Sequence, residues 1–255
     1  MSSRFTLRDL PGPPPAIEKR GPAAALEREA AALRLVAGRP WAPRLLAAEP
    51  GAVVATRCPG APRELARLGA PDARRLGAVL REAHEVRRAT DGGLDRWPAP
   101  VGSLAAYRAA RAEDTEALLA GTAHAGLARR ALSVPLPERA EARPFRLLHG
   151  DLVEANIVWG PQGPALVDWE FWRMGDPAED LAYLAEVNRL PDAVLADVIE
   201  GYGRPEVAAA AGGWRGLAAL DAGAWYRRAG MTAAAGPLLE RGAALASLRR
   251  PRSEA

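Results

Sequence analysis

A strand-turn-strand pattern between residues 145 and 168 constrains the fold most, because it is set among segments with helical periodicity. Apolar runs at 145–148, 157–159 and 165–167 have the length of short strands, and the last two flank a Gly-Pro-Gln-Gly-Pro turn. Proline ends ladder pairing and glycine permits a tight reversal of the chain. The pattern therefore predicts a β-hairpin inside a mostly helical region.

The first 57 residues predict a small strand-rich lobe that contains one helix. Strands are expected at 4–10 and 16–20, joined by a proline-rich turn at 11–15. A helix is expected over 22–37, where apolar residues recur at helical spacing, and a further strand over 52–57. This order predicts a hairpin, a helix and another strand at the start of the chain.

The remaining residues, 58–255, predict a larger and mostly helical lobe, joined to the first by a Pro-Gly hinge at 58–62. The expected architecture is thus α+β with two lobes, and the domain boundary follows residue 57. A first helix is expected over 71–89, and a second begins at a Ser103 cap and ends before Gly121. A third begins at an Asp176 cap. Alanine-rich helical segments then run to about Leu248, with breaks at 201–205, 212–213 and 236–237.

Composition excludes several classes of protein. The chain has 34 basic and 31 acidic side chains in an interleaved order, so it lacks the charge footprint of a nucleic-acid-binding protein. A single cysteine, Cys58, rules out an internal disulfide framework and a cysteine-built zinc site. No stretch reaches the ~20 apolar residues that cross a bilayer, and no secretory leader is visible. We therefore expect a cytoplasmic protein without nucleic-acid or membrane partners.

Lys19 is the only lysine among the 34 basic residues. The arginine excess suggests a coding bias that replaces lysine wherever arginine will serve. A compact ammonium suits a single phosphate oxygen in a narrow pocket, where a planar guanidinium would not fit. Lys19 is therefore a candidate phosphate ligand, with chance as the alternative explanation.

Four polar side chains lie where the strands between 145 and 168 meet: His149, Asp151, Asn156 and Asp168. Asp151 precedes Asn156 by five residues, and Asp168 follows twelve residues later, so the three can converge at one end of the hairpin. Carboxylate and amide oxygens suit Mg²⁺, and a further carboxylate can orient an attacking hydroxyl. Phosphoryl transfer needs such a set, although Asp and Asn in loops more often form turns.

These residues also resemble a known family. The segments HGDLVEAN (149–156), LVDWE (166–170) and GDPAEDLA (175–182) are similar to the signature of the aminoglycoside phosphotransferase and choline kinase superfamily. The resemblance implies a two-lobed protein-kinase-like fold. It also implies an enzyme that moves the γ-phosphoryl group of ATP or GTP, with Mg²⁺, to a hydroxyl of a small molecule.

The resemblance assigns roles to the polar residues of this region. Asp151 becomes the catalytic base or the residue that orients the hydroxyl. Asn156 and Asp168 become the Mg²⁺ ligands. His149 is expected to tie the loop backbone together, and Asp180 to brace the same loop from its helix.

The nucleotide end of the site is expected in the small lobe. Lys19 resembles the family's nucleotide-binding lysine, and Glu29, ten residues later, is the expected partner that holds it. Glu29 is favoured over Glu27 because it shares a helix face with apolar residues. Thr56 and Cys58, at the hinge, are counted with the nucleotide-binding residues, although Cys58 can equally be a small buried thiol.

Acceptor recognition is less well defined. Glu170 could meet a cationic amine or a second Mg²⁺, or it could cap the following turn. Trp172 is a candidate substrate contact, since tryptophan faces attract cations. Core packing is the favoured alternative for it and for the other aromatic residues of the helical region, which are Trp169, Trp214, Trp225 and Tyr226.

One departure from the family pattern concerns the nucleotide-covering loop, which is often glycine-rich. Here the corresponding turn at 11–15 contains Gly12 among prolines, and few backbone N–H groups are free to cradle phosphate. The leading interpretation is an aminoglycoside phosphotransferase-like enzyme. The alternatives are a choline, ethanolamine or thiamine kinase of the same fold, or a nucleotide-binding protein without catalysis.

Overall fold

The computed structural model describes residues 4–86, 103–132 and 145–247, and these form two compact units. We call them the sheet unit and the helical unit. The predicted boundary after residue 57 stays a prediction. The sheet unit contains the described residues up to 86 together with 146–174 and 191–203, and the helical unit contains 103–132, 145, 175–190 and 204–247.

The sheet unit begins with a four-stranded antiparallel sheet in the order β1-β2-β4-β3. Its strands are β1 (Thr6–Leu10), β2 (Ala16–Arg20), β3 (Leu45–Glu49) and β4 (Ala52–Thr56). The predicted hairpin and the strand at 52–57 are confirmed. The sequence reading missed β3, because its alanine-rich sequence lacks the β-branched residues that favour strands.

The predicted helix at 22–37 is confirmed as α1 (Ala23–Leu35). Pro22 lies just before its first residue, and Gly38 follows its end with a φ of +78°. The helix buries Leu26, Leu33 and Glu29 on one side. A carboxylate on a buried helix face needs a partner, which the site provides.

A second sheet of the same unit contains the predicted hairpin. It has the order β5-β7-β8, from β5 (Ala61–Pro62), β7 (Ile157–Gly160) and β8 (Gly163–Leu166). Gly160 pairs with Gly163, so the loop consists of two residues and is shorter than the predicted turn. The expected strand at 145–148 is β6 (Arg146–Leu148), which pairs with β9 (Arg173–Gly175).

The helices of the sheet unit are α2 (Ala70–Glu85) and α6 (Asp192–Tyr202). The predicted helix at 71–89 is confirmed up to Glu85, and residues 87–89 lie outside the described residues. A Cβ atom on Gly77 would lie 2.0 Å from the carbonyl oxygen of Val198, and one on Gly201 would lie 2.0 Å from that of Arg74. The two helices therefore approach to backbone contact at this pair of glycines.

The helical unit contains the capped helices that the sequence predicts. Ser103 accepts a hydrogen bond from Ala106 N–H, and Asp176 accepts one from Ala178 N–H. The expected breaks near 201–205 and 212–213 are present. Its helices are α3 (Leu104–Leu119), α4 (Leu127–Ala131), α5 (Pro177–Val187), α7 (Pro205–Ala211), α8 (Arg215–Arg228) and α9 (Thr232–Ser247).

The predicted break at 236–237 is wrong, because α9 runs through Pro237. The chain reverses earlier, at Gly230, whose φ is +77°. Proline costs a helix one internal hydrogen bond, and packing of α9 on α8 offsets that cost. Space for a Cβ atom is lacking at Gly223 and Gly242, which face Leu239 and Leu220 respectively across the two helices.

Arg111 is a buried charge of the helical unit whose carboxylate partners lie within the same unit. Arg111, only 2% exposed, donates through Nε to Glu179 at 2.7 Å and through Nη2 to Asp221 at 2.8 Å. Tyr107 also donates to Glu179.

No helix among the described residues is long and apolar enough to span a membrane.

Candidate active site

Lys19 lies near the end of β2 and is 8% exposed. Its Nζ donates to Glu29 Oε2 at 2.8 Å and to Asp168 Oδ1 at 2.6 Å. Burial lowers the pKa of Lys19, but the two carboxylates outweigh it, so the pKa is raised and the ammonium stays charged. The structure thus brings together three of the predicted site residues.

Glu29 is the α1 residue that meets Lys19, and Glu27 is exposed. Burial raises the pKa of Glu29, while the ammonium of Lys19 opposes that shift. A buried ion pair of this kind fixes the direction of the lysine side chain more than it stabilises the fold. The helical spacing that favoured Glu29 over Glu27 agrees with these positions.

Asp168 reaches Lys19 from a strained backbone. It follows β8 and has a φ of +65°, in the left-handed region that residues with a Cβ atom seldom occupy. Aspartate tolerates this conformation better than most side chains. Val167 N–H donates to the carbonyl of Asn156 at 3.0 Å, which places Asn156 and Asp168 at the same end of the hairpin.

Asn156 holds Asp151 directly. Its Nδ2 donates to Asp151 Oδ2 and to the Asp151 carbonyl oxygen, both at 2.9 Å. With both donors directed at Asp151, the amide oxygen of Asn156 remains as an acceptor or ligand atom. Asn156 is 8% exposed and lines the same cavity as Asp168.

His149 joins the segment of Asp151 to the hairpin. Its Nε2 lies 2.9 Å from the carbonyl oxygen of Val167, and its Nδ1 accepts the N–H of Asp151 at 3.3 Å. Both contacts are satisfied by a neutral imidazole with the proton on Nε2. Gly150, between them, has a φ of +82°, and a Cβ atom there would lie 2.3 Å from the Phe171 carbonyl oxygen. His149 thus contacts the backbone of Val167 and of Asp151, and the role that the resemblance implies for it stays a prediction.

A cavity of about 370 Å³ extends from this cluster to the hinge. Lys19, Glu29, Asn156 and Asp168 line one part of it, and Cys58 lines another. Its walls are otherwise mainly apolar, from Ile17, Pro43, Val53, Ala55, Val158 and Val167 among others. Apolar walls with a few convergent charges are typical of a ligand site.

The two predicted hinge residues both line this cavity. The Thr56 hydroxyl accepts the N–H of Arg44 at 2.8 Å, so it is already engaged in the fold. Burial raises the pKa of the Cys58 thiol to about 11. Cys58 is therefore a neutral, weakly polar part of the wall at physiological pH.

Glu170 and Trp172, the candidate acceptor contacts, are both buried. Glu170 pairs with Arg4, and its Oε2 has no hydrogen-bond partner among the described residues. Burial, and then the charge of Asp168, raises the pKa of Glu170. Trp172 Nε1 donates to the Arg28 carbonyl at 2.6 Å, which gives the indole a packing role against α1. An acceptor role for either residue stays a prediction.

The other predicted residues lie in different surroundings. Asp180 is fully buried on α5, in the helical unit, and its bracing role stays a prediction. Trp169 and Trp214 are fully buried, as core packing requires, and Trp214 Nε1 donates to Asp176 at 2.9 Å. Trp225 is 40% exposed and meets Tyr226 edge to face.

Two residues of the site were missed by sequence reasoning. The Phe5 ring lies 4.2 Å from Lys19 Nζ, and Arg4 pairs with Glu170. Both precede β1, in a stretch where neither a motif nor a periodicity distinguishes them. Only their proximity in the folded chain connects them with the site.

Comparison with known proteins agrees with this geometry. The model of the phosphotransferase enzyme family matches residues 3–220. A search of curated protein sequences found no match.

Three similar solved structures have a kinase-like fold. A choline kinase from Streptococcus pneumoniae has a TM-score of 0.72 and 14% identity, over 98% of this chain and 91% of that one. A macrolide 2'-phosphotransferase from Brachybacterium faecium has a TM-score of 0.65 and 22% identity, over 99% of this chain and 91% of that one. An aminoglycoside phosphotransferase in ternary complex with AMP-PNP and hygromycin B has a TM-score of 0.68 and 18% identity, over 95% of this chain and 93% of that one.

The fold is therefore the expected α+β kinase-like one, with a small antiparallel sheet at the N-terminus and a mostly helical remainder. Since the family model spans well over half of the sequence, the chain belongs to the phosphotransferase enzyme family and is a small-molecule phosphotransferase.

Proposed function

We propose that the protein transfers the γ-phosphoryl group of ATP or GTP to a hydroxyl group of a small molecule. The observation that supports this most is that Lys19, Glu29, Asn156 and Asp168 line the same cavity, where Lys19 is paired with Glu29 and Asp168. An ammonium held between two carboxylates, beside an apolar cavity, suits a nucleotide whose base lies toward the hinge. The related ternary complex contains AMP-PNP.

Asp151 is the residue that would accept the proton of the attacking hydroxyl. The contacts from Asn156 and His149 restrict its position, so its carboxylate is directed before the acceptor binds. Lys19, held by Glu29, would contact the phosphates of the donor.

Asn156 and Asp168 would hold Mg²⁺, which supplies charge neutralisation at the phosphates when it is bound. Their oxygen atoms are the hard ligands that Mg²⁺ prefers. Among the described residues no group of three or more His, Cys, Asp and Glu side chains could hold a metal ion by itself. The residues thus fit an ion that completes its coordination with nucleotide phosphate and water.

The acceptor class is tested by a screen. Purified protein with Mg²⁺ and ATP or GTP is incubated with choline, ethanolamine, thiamine, aminoglycosides, macrolides and sugars, and nucleoside diphosphate release is measured. We expect turnover with at least one class. An aminoglycoside or macrolide as best acceptor supports the leading proposal, and choline, ethanolamine or thiamine supports the metabolic alternative.

The assignment of Asp151 is tested in the same assay. Replacing Asp151 by Asn should lower kcat by about 10² or more, because proton transfer is lost while the size of the side chain is kept. Asp192, an exposed residue at the start of α6, provides the matched control. Full turnover in Asp151→Asn, or an equal loss in Asp192→Asn, would contradict the assignment.

A second candidate is a nucleotide-binding protein that transfers no phosphate. The turn at 11–15 favours it, since four of its five residues are prolines without an N–H group. Stabilisation by nucleotide without diphosphate release across the whole panel would support this candidate.

A further inference from the structure

The proline-rich turn lies at the wrong end of the sheet to cover the phosphates. Leu10 pairs with Ala16, which pairs with Thr56, and Arg57 N–H donates to the Pro15 carbonyl at 2.8 Å. The turn is thus next to the hinge, whereas Lys19 lies toward the other end of β2. In addition, Gly12 provides the only backbone N–H group of the five residues.

The segment at the opposite end of β1 covers Lys19 instead. The Phe5 ring lies 4.2 Å from Lys19 Nζ and lines the cavity. The Arg4 guanidinium lies 4.8 Å from the Phe5 ring and 5.4 Å from the Phe171 ring, and it pairs with Glu170. Contacts with two aromatic rings favour this position of the guanidinium of Arg4.

Charge around Lys19 is unfavourable to a polyanion without Arg4. Lys19 is paired with two carboxylates, Glu29 and Asp168, and Glu170 adds a third close by. One ammonium against three carboxylates leaves an excess of two negative charges, and Arg4 reduces that excess to one. The Arg4 side chain is 45% exposed, so it is free to exchange its carboxylate partner.

We propose that Arg4 binds the phosphate oxygens of the donor nucleotide, with Phe5 as a cover over Lys19, in place of a glycine-rich backbone cradle. This inference rests on the proposed function. A guanidinium offers paired N–H donors that match two phosphate oxygens. Glu170, two residues beyond Asp168, then serves as the group that holds Arg4 beside the metal end of the site until the nucleotide binds.

The test is a set of binding measurements on the full-length chain. Isothermal titration calorimetry first gives the Kd of the parent for Mg²⁺–ATP and Mg²⁺–GTP. It then gives the Kd for Mg²⁺–ATP, Mg²⁺–ADP and adenosine, or for the guanine equivalents if the parent prefers GTP, with the parent and with Arg4→Gln, Arg4→Lys and Arg8→Gln. Arg8 is the matched control, since it lies on β1, four residues after Arg4, is 66% exposed and also pairs with a glutamate, Glu18. Adenosine has no phosphate, so its affinity reports whether the base pocket is intact.

We expect Arg4→Gln to weaken Mg²⁺–ATP binding about tenfold or more, as the loss of a charge-assisted phosphate contact does. Adenosine binding should not change, Arg4→Lys should recover part of the loss, and Arg8→Gln should match the parent. An unchanged Kd for Mg²⁺–ATP in Arg4→Gln, or an equal weakening for adenosine, would overturn the inference alone. A parent protein that binds neither Mg²⁺–ATP nor Mg²⁺–GTP would overturn the proposed function and this inference with it.

Discussion

Lys19 is restrained from three directions, by Glu29, by Asp168 and by the ring of Phe5. Such a site has a defined lysine position before any ligand arrives, which reduces the ordering cost on binding. The same contacts explain why the single lysine of the sequence is at this position. A guanidinium would need more room than a buried ammonium between two carboxylates.

The restraint on Lys19 predicts different effects for two neighbouring glutamates. Glu29→Gln removes one of the two negative charges that face Lys19, so that Asp168 becomes the only carboxylate of the two that still pairs with the ammonium. We expect kcat/KM for the nucleotide to fall by roughly ten- to a hundredfold, the size of a lost charge-assisted contact. Glu27 lies on the exposed side of α1, so Glu27→Gln should leave kcat/KM for the nucleotide unchanged. Steady-state kinetics of the two variants measures both effects. Equal kinetics for both variants would contradict the role of Glu29.

Cys58 gives a chemical probe of the cavity, because it is the only cysteine. Its pKa is raised to about 11 by burial, against a usual value of 9.0, so the thiol stays protonated in a pH range where an exposed thiol ionises. Two units correspond to a roughly hundredfold smaller thiolate fraction near neutral pH. We expect slow alkylation by iodoacetamide that keeps rising between pH 9 and 10, and protection by Mg²⁺–ATP. The rate should rise roughly tenfold between pH 9 and 10, whereas a rise of less than about twofold over this interval would show an ordinary thiol.

At the scale of the elements, glycines determine how closely the helices pack. Gly77 on α2 and Gly201 on α6 each face a backbone carbonyl at a distance that no side chain could occupy. This contact was not predictable, because a glycine within a helical pattern more often indicates a break or a cap than a close approach. The hairpin at 157–166, by contrast, was predictable from its two short apolar runs and the glycine and proline residues between them.

The packing of α2 on α6 predicts a reversal of the usual effect of alanine. Alanine in place of helical glycine ordinarily stabilises a protein by about 1 kcal/mol. Gly77→Ala and Gly201→Ala should instead destabilise it by about 1–3 kcal/mol or more, since the helices must separate. Gly212→Ala is the control, because the nearest atom to its Cβ would lie 3.9 Å away. Urea denaturation midpoints check this, and stabilisation by Gly77→Ala would disprove the close approach.

At the scale of the molecule, the sequence indicated which polar residues of the hairpin region lie in the candidate site, but it did not indicate which residues lie over Lys19. Asp151, Asn156 and Asp168 could be identified because each follows or precedes a short strand at a fixed spacing. The strand β3 and the continuous helix α9 were missed, since tertiary packing overrides the local preferences of alanine and proline. Arg4 and Phe5 could not be predicted, because their roles depend on contacts in the folded chain. Arg4 pairs with Glu170, more than a hundred positions away, and Phe5 lies beside Lys19.

Nucleotide and metal should stabilise the whole molecule together. A ligand at 100 times its Kd adds about 2.7 kcal/mol to the free energy of unfolding. We expect ATP with Mg²⁺ to raise the Tm clearly more than ATP with EDTA, because the negative charge of the cluster opposes a metal-free triphosphate.

Asp168→Asn separates the contributions of metal and lysine to that stabilisation. The amide keeps a hydrogen-bond acceptor for Lys19 but loses the carboxylate charge that would bind Mg²⁺, so the difference between the Mg²⁺ and EDTA samples should become small. Differential scanning fluorimetry of the parent and the variant, each with adenosine as the phosphate-free reference, checks both expectations. If the variant keeps the full Mg²⁺-dependent shift of the parent, the metal is bound elsewhere, and the role proposed for the Asp168 carboxylate is wrong.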